Sequence, residues 1–324
     1  MTRTRFPAAW RRLVGVALAG WCLAGGAQQP AAGDCPPQAQ LLSAAQVGAG
    51  TRDAIDRGFL WRIARDGRIS YLYGTLHIAR PQWMFPGPRT LRALTASDTL
   101  ALELDVLDAD IQRRLAIGMR ADPAQALLEP LAERLRVQLE AACLSPEAMS
   151  ALAPAVQLAA LTTLAGRRDG LDPAYAIDLF LAGYGRAIGK TVLSLETPEL
   201  QLALLKGEPQ MAQESLARGL EQLERAQARP MLLRISDIWD QGRIDELMRY
   251  EQWCDCADTE ADRAALKRLL DDRNLPLAER IEALHAAGKR VFAAVGALHM
   301  IGPTGLPALL AKRGFTVERI ERAR

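Results

Sequence analysis

Histidine is scarce in this chain, with only His77, His285 and His299 in 324 residues. Any chemistry built on imidazole must draw on these three. Familiar catalytic signatures are missing too. There is no Gly-x-Ser-x-Gly elbow, no phosphate-binding P-loop, no His-Glu-x-x-His and no Gly-x-Gly-x-x-Gly, which leaves the common hydrolase, nucleotide, zincin and dinucleotide readings without support. No long basic run occurs, and the formal charge is only +2. Even that excess comes from four arginines in the first 27 residues, without which 36 basic residues face 38 acidic ones. A near-neutral body gives no electrostatic footprint for nucleic acid. No internal repeat or low-complexity tract stands out. With 49% hydrophobic and 24% charged residues, the composition is that of a globular protein and excludes collagen-like, disordered and coiled-coil chains.

The N-terminus is built differently from the rest. Arg3, Arg5, Arg11 and Arg12 precede an apolar run from Leu13 to Ala24, and Gly25, Gly26 and Ala27 follow. That order of charged, apolar and small segments is a secretory signal. The run is about twelve residues, short of the roughly twenty needed to span a bilayer, and no later stretch is long and apolar enough. The expectation is a signal peptide over residues 1–27, cleavage near Ala27 and a periplasmic or secreted protein with no transmembrane span. Cys22 follows the bulky Trp21, which argues against a lipoprotein site. Four cysteines then remain: Cys35, Cys143, Cys254 and Cys256. In an oxidising compartment these suggest two disulfides, with three possible pairings. A zinc site is the competing idea, but the spacing suits neither a finger nor a ribbon.

Residues 28–57, rich in Ala, Gln, Gly and Pro near their start, read as a loose leader tied down by Cys35. Strand-like runs then occupy 59–63 and 69–77 around Asp66-Gly67, a strong hairpin signal. Further runs lie at 99–105, 191–195, 290–299 and 316–320. Helical spacing fills 106–190 and 198–288, with Ser145-Pro146 and Asp172-Pro173 as helix starts. Asp-Gln-Gly at 240–242 and Pro276 punctuate the second stretch, and a last helix occupies 303–313. Strands at both ends of a long helical middle predict a single α/β domain over 58–324, whose central mixed sheet is assembled from distant segments and flanked by many helices.

Two of the three histidines follow a glycine by three positions, in Gly74-Thr-Leu-His77 and Gly296-Ala-Leu-His299, and both motifs end strand-like runs. Imidazole is the commonest neutral metal ligand and titrates near physiological pH. Ligands of open α/β sheets bind at strand ends, where a glycine leaves room for close approach. His285 lies near the C-terminus of an amphipathic helix before Gly288 and reads as structural, favourable with the helix dipole. Glu103 sits in the apolar run Leu100-Ala-Leu-Glu-Leu-Asp105, where an unpaired charge would be costly; the bland alternative is a half-exposed strand. Glu196 is a weaker case of the same kind. Asp178 interrupts the apolar stretch Tyr175 to Leu181 and needs a partner, whereas Asp172 is explained as an N-cap.

These residues, with Leu60-Trp-Arg-Ile63, Ser70-Tyr-Leu-Tyr-Gly-Thr-Leu-His77, Leu102-Glu-Leu-Asp105, Leu195-Glu-Thr-Pro-Glu-Leu-Gln201, Arg273-Asn274 and Val295 to Leu306, resemble the TraB/GumN family. That family is related to the Tiki proteases and the pheromone-shutdown proteins, and the resemblance covers roughly 58–320. It implies a fold similar to the erythromycin esterase and ChaN groups, and metalloprotease chemistry dependent on manganese or cobalt. By position, His77 and His299 match the motif histidines, Glu103 the motif glutamate and Arg273 the arginine before the second motif.

The expected protein is thus an exported metal-dependent hydrolase, a peptidase acting on a peptide or protein. His77 and His299 would hold one divalent metal, with Glu103 as third ligand or as base and Arg273 beside the developing oxyanion. Two nitrogens and a carboxylate suit zinc, manganese or cobalt alike. The competing reading is a non-catalytic periplasmic protein that holds a metal or haem, and a third is an interaction module that needs no metal.

Overall fold

The computed structural model describes residues 35–123, 126–207 and 211–322; the signal peptide expected over 1–27 lies outside them. Asp66 and Gly67 form a two-residue turn, both with positive φ (51° and 71°), the backbone that matches the twist of paired strands. They join β1 (Phe59–Arg65) to β2 (Arg68–Thr75) as an antiparallel hairpin with Arg65 opposite Arg68. The other strands are β3 (Thr99–Leu102), β4 (Thr191–Ser194), β5 (Val291–Gly296) and β6 (Thr316–Ile320). They complete one six-stranded sheet in the order β4-β3-β5-β2-β1-β6. β4, β3, β5 and β2 run parallel, while β1 is antiparallel to both β2 and β6. The result is the expected α/β domain with a mixed sheet and many helices.

The main core lies against this sheet. Every residue of β3 is buried, and Val291 to Val295 of β5 are at most 1% exposed. Such continuous apolar runs mark strands covered on both faces. A smaller apolar cluster (Leu135, Leu139, Met149, Leu161, Leu216 and Leu220) holds helices Glu129–Ala141, Pro154–Leu164 and Ala212–Glu224 together. Two disulfides form, Cys35–Cys143 and Cys254–Cys256, so all four cysteines bond to each other and the zinc alternative falls.

Several boundaries differ from expectation. The runs at 69–77, 99–105 and 290–299 carry strand only to Thr75, Leu102 and Gly296. Glu103 therefore stands just past a strand end rather than inside one. The segment before β1 is not loose throughout: Ala44–Arg52 is a helix started by a Ser43/Gln46 capping box, with Leu42, Val47 and Ala54 packed on the core. Pro276 does not break its helix, which runs Asp271–Ala286 with the proline near its start. As the sixth residue it lies past the first turn, so one i→i−4 bond is lost, and the buried Leu277, Ala278 and Ile281 beside it hold the helix in place. Gly242, in the left-handed region, does end helix Ala228–Gln241.

Candidate active site

Because β4, β3, β5 and β2 are parallel, their C-terminal ends share one edge, and each delivers a polar side chain there. Glu196 follows β4 by two residues, Glu103 follows β3 by one, His299 follows β5 by three and His77 follows β2 by two. Residues far apart in sequence thus meet because the ladder brings their strands side by side. Gly296 lies at the centre. A Cβ built on it would be 3.1 Å from Glu103 Oε1, 3.6 Å from His77 Nε2 and 3.6 Å from His299 Cδ2. The glycine of the first motif answers a second close approach: a Cβ on Gly74 would lie 3.2 Å from Ala297 Cα. Each motif glycine makes room for the other motif.

Glu103 is only 6% exposed and every oxygen has a partner. Oε1 accepts from the Gly296 N–H at 2.6 Å and lies 3.7 Å from His77 Nε2. Oε2 accepts from Arg273 Nη2 at 2.5 Å and is 3.5 Å from Gln201 Nε2. Arg273 also grips Glu196 with two bonds, Nε to Oε1 at 2.8 Å and Nη2 to Oε2 at 2.6 Å, and donates through Nη1 to the Leu269 carbonyl. Gln201 Nε2 donates to Glu196 at 2.9 Å. The two carboxylates are therefore held on one guanidinium, whose planar fork suits such bidentate pairing.

The histidines differ in surroundings. His299 is 3% exposed, and its Nδ1 lies 2.7 Å from Asn274 Oδ1. The acceptor fixes the proton on Nδ1 and leaves the lone pair on Nε2. Burial pulls its pKa down to about 4, so this ring is neutral near pH 7. His77 is open, its side chain 59% exposed, with Nδ1 3.3 Å from Asp178 Oδ2. The Asp178 charge, helped by the hydrogen bond to it, pushes its pKa up to about 9. For Glu103, burial would raise the pKa, but the positive charges of His77 and Arg273 and the Gly296 N–H outweigh it and hold the carboxyl at about 2. His285 is elsewhere. It is fully buried, with Nδ1 2.9 Å from Ser70 Oγ and Nε2 3.1 Å from the Arg65 carbonyl. These bonds, more than a helix dipole, explain it as structural.

Among the described residues no three of His, Cys, Asp and Glu already form a cation cage. The donor chemistry nonetheless fits one. Both imidazoles have Nδ1 tied to an oxygen acceptor, the arrangement that frees Nε2 to ligate. The 3.7 Å between His77 Nε2 and Glu103 Oε1 is what two atoms about 2.1 Å from one cation span at an angle of roughly 120°. Asp178 Oδ1, on the carboxyl that meets His77, is one of six buried side-chain polar atoms without a partner among the described residues, and an ion or water is one of the ways such a group is satisfied.

His77, Glu103, His299 and Arg273, the four site residues expected from the sequence, come together, and His285 does not join them. Asn274 and Gln201 carry no expected role of their own, although each stands inside a motif quoted above. Asp178 needs a partner by its apolar setting, and His77 is that partner. A profile of the TraB/PrgY/gumN family matches residues 59–319. No curated protein and no solved structure matches the chain.

Proposed function

We propose that this chain, which belongs to the TraB/PrgY/gumN family, is an exported metal-dependent hydrolase that cleaves peptide bonds. One observation carries the reading: Glu103 Oε1, His77 Nε2 and His299 Cδ2 all lie within 3.6 Å of where a Cβ on Gly296 would stand. Nε2 of each histidine and Glu103 Oε1 would hold a divalent cation of the manganese, cobalt or zinc kind. When bound, such a cation polarises a scissile carbonyl and makes water more acidic. Glu103 is kept ionised and so is open to ligation; if it does not ligate, it would be the base toward the attacking water, weakened by the groups that hold its pKa low. Arg273 keeps Glu103 Oε2 engaged and so leaves Oε1 as the oxygen that faces His77. Three Arg273 bonds go to carboxylates and one to a carbonyl, so its first task is to hold Glu103 and its second to add positive charge near a developing oxyanion. We extend the proposal to kinship of the fold with the erythromycin esterase and ChaN groups, and to a periplasmic or secreted location. No helix among the described residues is long and apolar enough to cross a membrane.

The test starts with metal analysis of the purified mature protein, then a peptide-library assay with manganese, cobalt and zinc. Stoichiometric metal and a rate abolished by Glu103→Gln support the hydrolase. Retained ligand with no turnover, unaffected by Glu103→Gln, would make it a binding protein instead. No metal and no activity under any of the three would overturn the reading.

A further inference from the structure

The acid that breaks the apolar stretch before Phe180 enters the chemistry above only as the acceptor beside His77 Nδ1. Asp178 lies in the first turn of helix Ile177–Ala187, between buried Ile177 and Phe180. That helix is docked onto the first motif, because the Ile177 N–H donates to the Leu76 carbonyl at 3.0 Å. Asp178 Oδ2 thereby reaches His77 Nδ1 at 3.3 Å, while Oδ1 is buried without a partner. A buried carboxylate oxygen left bare is destabilising, and unsatisfied local chemistry of this kind is expected where function requires it. The contrast between the histidines says what the requirement is. His299 is 3% exposed, so packing and Asn274 together fix its ring. His77 has a side chain 59% exposed and little packing to stop rotation of its ring.

We propose that Asp178 is the positioning residue for His77, holding Nδ1 so that Nε2 faces Glu103 Oε1 beside Gly296. The use of Nε2 as a ligand rests on the metal reading; the orientation of the ring does not. Asp178→Ala removes the acceptor, and Asp178→Asn keeps an oxygen that can accept from Nδ1 without the charge. Cobalt(II) titrated into the metal-free protein, followed by its visible absorption, should show affinity about 10–100-fold weaker in Asp178→Ala. Asp178→Asn should recover part of the loss. The thermal midpoint of metal-free Asp178→Ala should fall, because the charge that raises the His77 pKa has gone, and a merely structural acid would lower it too, so the ring orientation is the readout that separates the two roles. Crystal structures of the metal-free wild type and Asp178→Ala read the ring directly, and it should rotate in the variant. Unchanged ring orientation, or unchanged cobalt affinity, overturns the proposal. If the wild type takes up no cobalt, the metal reading falls and the ring orientation alone decides the role of Asp178.

Discussion

Arg273→Met is the substitution with the most to say about how the site is held. The guanidinium side chain is 12% exposed and neutralises two carboxylates, Glu103 at 7% and Glu196 at 3% side-chain exposure. Methionine fills similar space but leaves both anions facing each other across Gln201. Removing one partner of a buried ion pair costs about 3–5 kcal/mol, because the charge left behind stays desolvated. Gln201 and the Gly296 N–H still donate to the carboxylates, so the lower end, about 3 kcal/mol, is expected. At roughly 2–4 °C per kcal/mol for domains of 150–250 residues, the thermal midpoint should fall by about 6–12 °C.

Urea unfolding with the disulfides intact is the assay, after coincidence of two probes has established a two-state transition. Lysine at 273 should recover only part of the loss, since a single ammonium cannot reproduce the fork. The decisive comparison is Arg273→Met with Glu196→Gln. Removing one surplus anion should return at least about 1 kcal/mol, a coupling in the range seen for contacting residues. The clamp would be refuted by a loss under about 1 kcal/mol for Arg273→Met, or by losses that simply add in the double variant.

Other expectations separate the parts of the site. His77→Ala and His299→Ala should each abolish stoichiometric metal, and the double variant should lose little more, because ligands of one ion are strongly non-additive; a double-mutant cycle on cobalt affinity reads this. His285→Ala should keep the metal but unfold at lower urea, by about 1–3 kcal/mol, since Ser70 loses its buried partner. Gly296→Ala places a methyl 3.1 Å from Glu103 Oε1, the end of a side chain that can give, so cobalt affinity should fall with the fold intact. Gly74→Ala meets backbone at 3.2 Å and should instead cost about 1–3 kcal/mol in urea unfolding. Mass spectrometry of exported protein should find a new N-terminus close to Gln28 and no free thiol; a full-length cytoplasmic chain would contradict the export reading.

Local chemistry makes much of this fold legible. Asp66-Gly67 announces the hairpin because only a few residues tolerate left-handed backbone at two successive positions, and the strands stand out as apolar runs of the right length. Strand ends are harder to see. The run Leu-Ala-Leu-Glu-Leu continues apolar through Leu104, which is itself buried, although the ladder stops at Leu102. Burial is written in residue type, while the end of a ladder depends on where neighbouring strands stop. The sheet order is written nowhere locally, since β5 enters between β2 and β3 from the far end of the chain.

The site follows the same division. The repeated Gly-x-x-His is visible because its spacing is short: each histidine lies three residues past a glycine that is small so that the other motif can come close, and just beyond a strand end. Glu103 and Asp178 are visible as charges among apolar neighbours, a conflict that burial must resolve with a partner. What the sequence does not supply is which partner. Glu103 takes Arg273, 170 residues away, and Asp178 takes His77, 101 residues away, and both choices depend on the parallel order that places four strand ends on one edge. Asn274 illustrates the remaining gap. As a polar residue in a helix it carries no conflict until the helix is docked, and only then does its 1% exposure make the bond to His299 a necessity. A charge set in an apolar run is therefore conspicuous from its neighbours alone, whereas a neutral polar partner becomes conspicuous only once packing has removed its water.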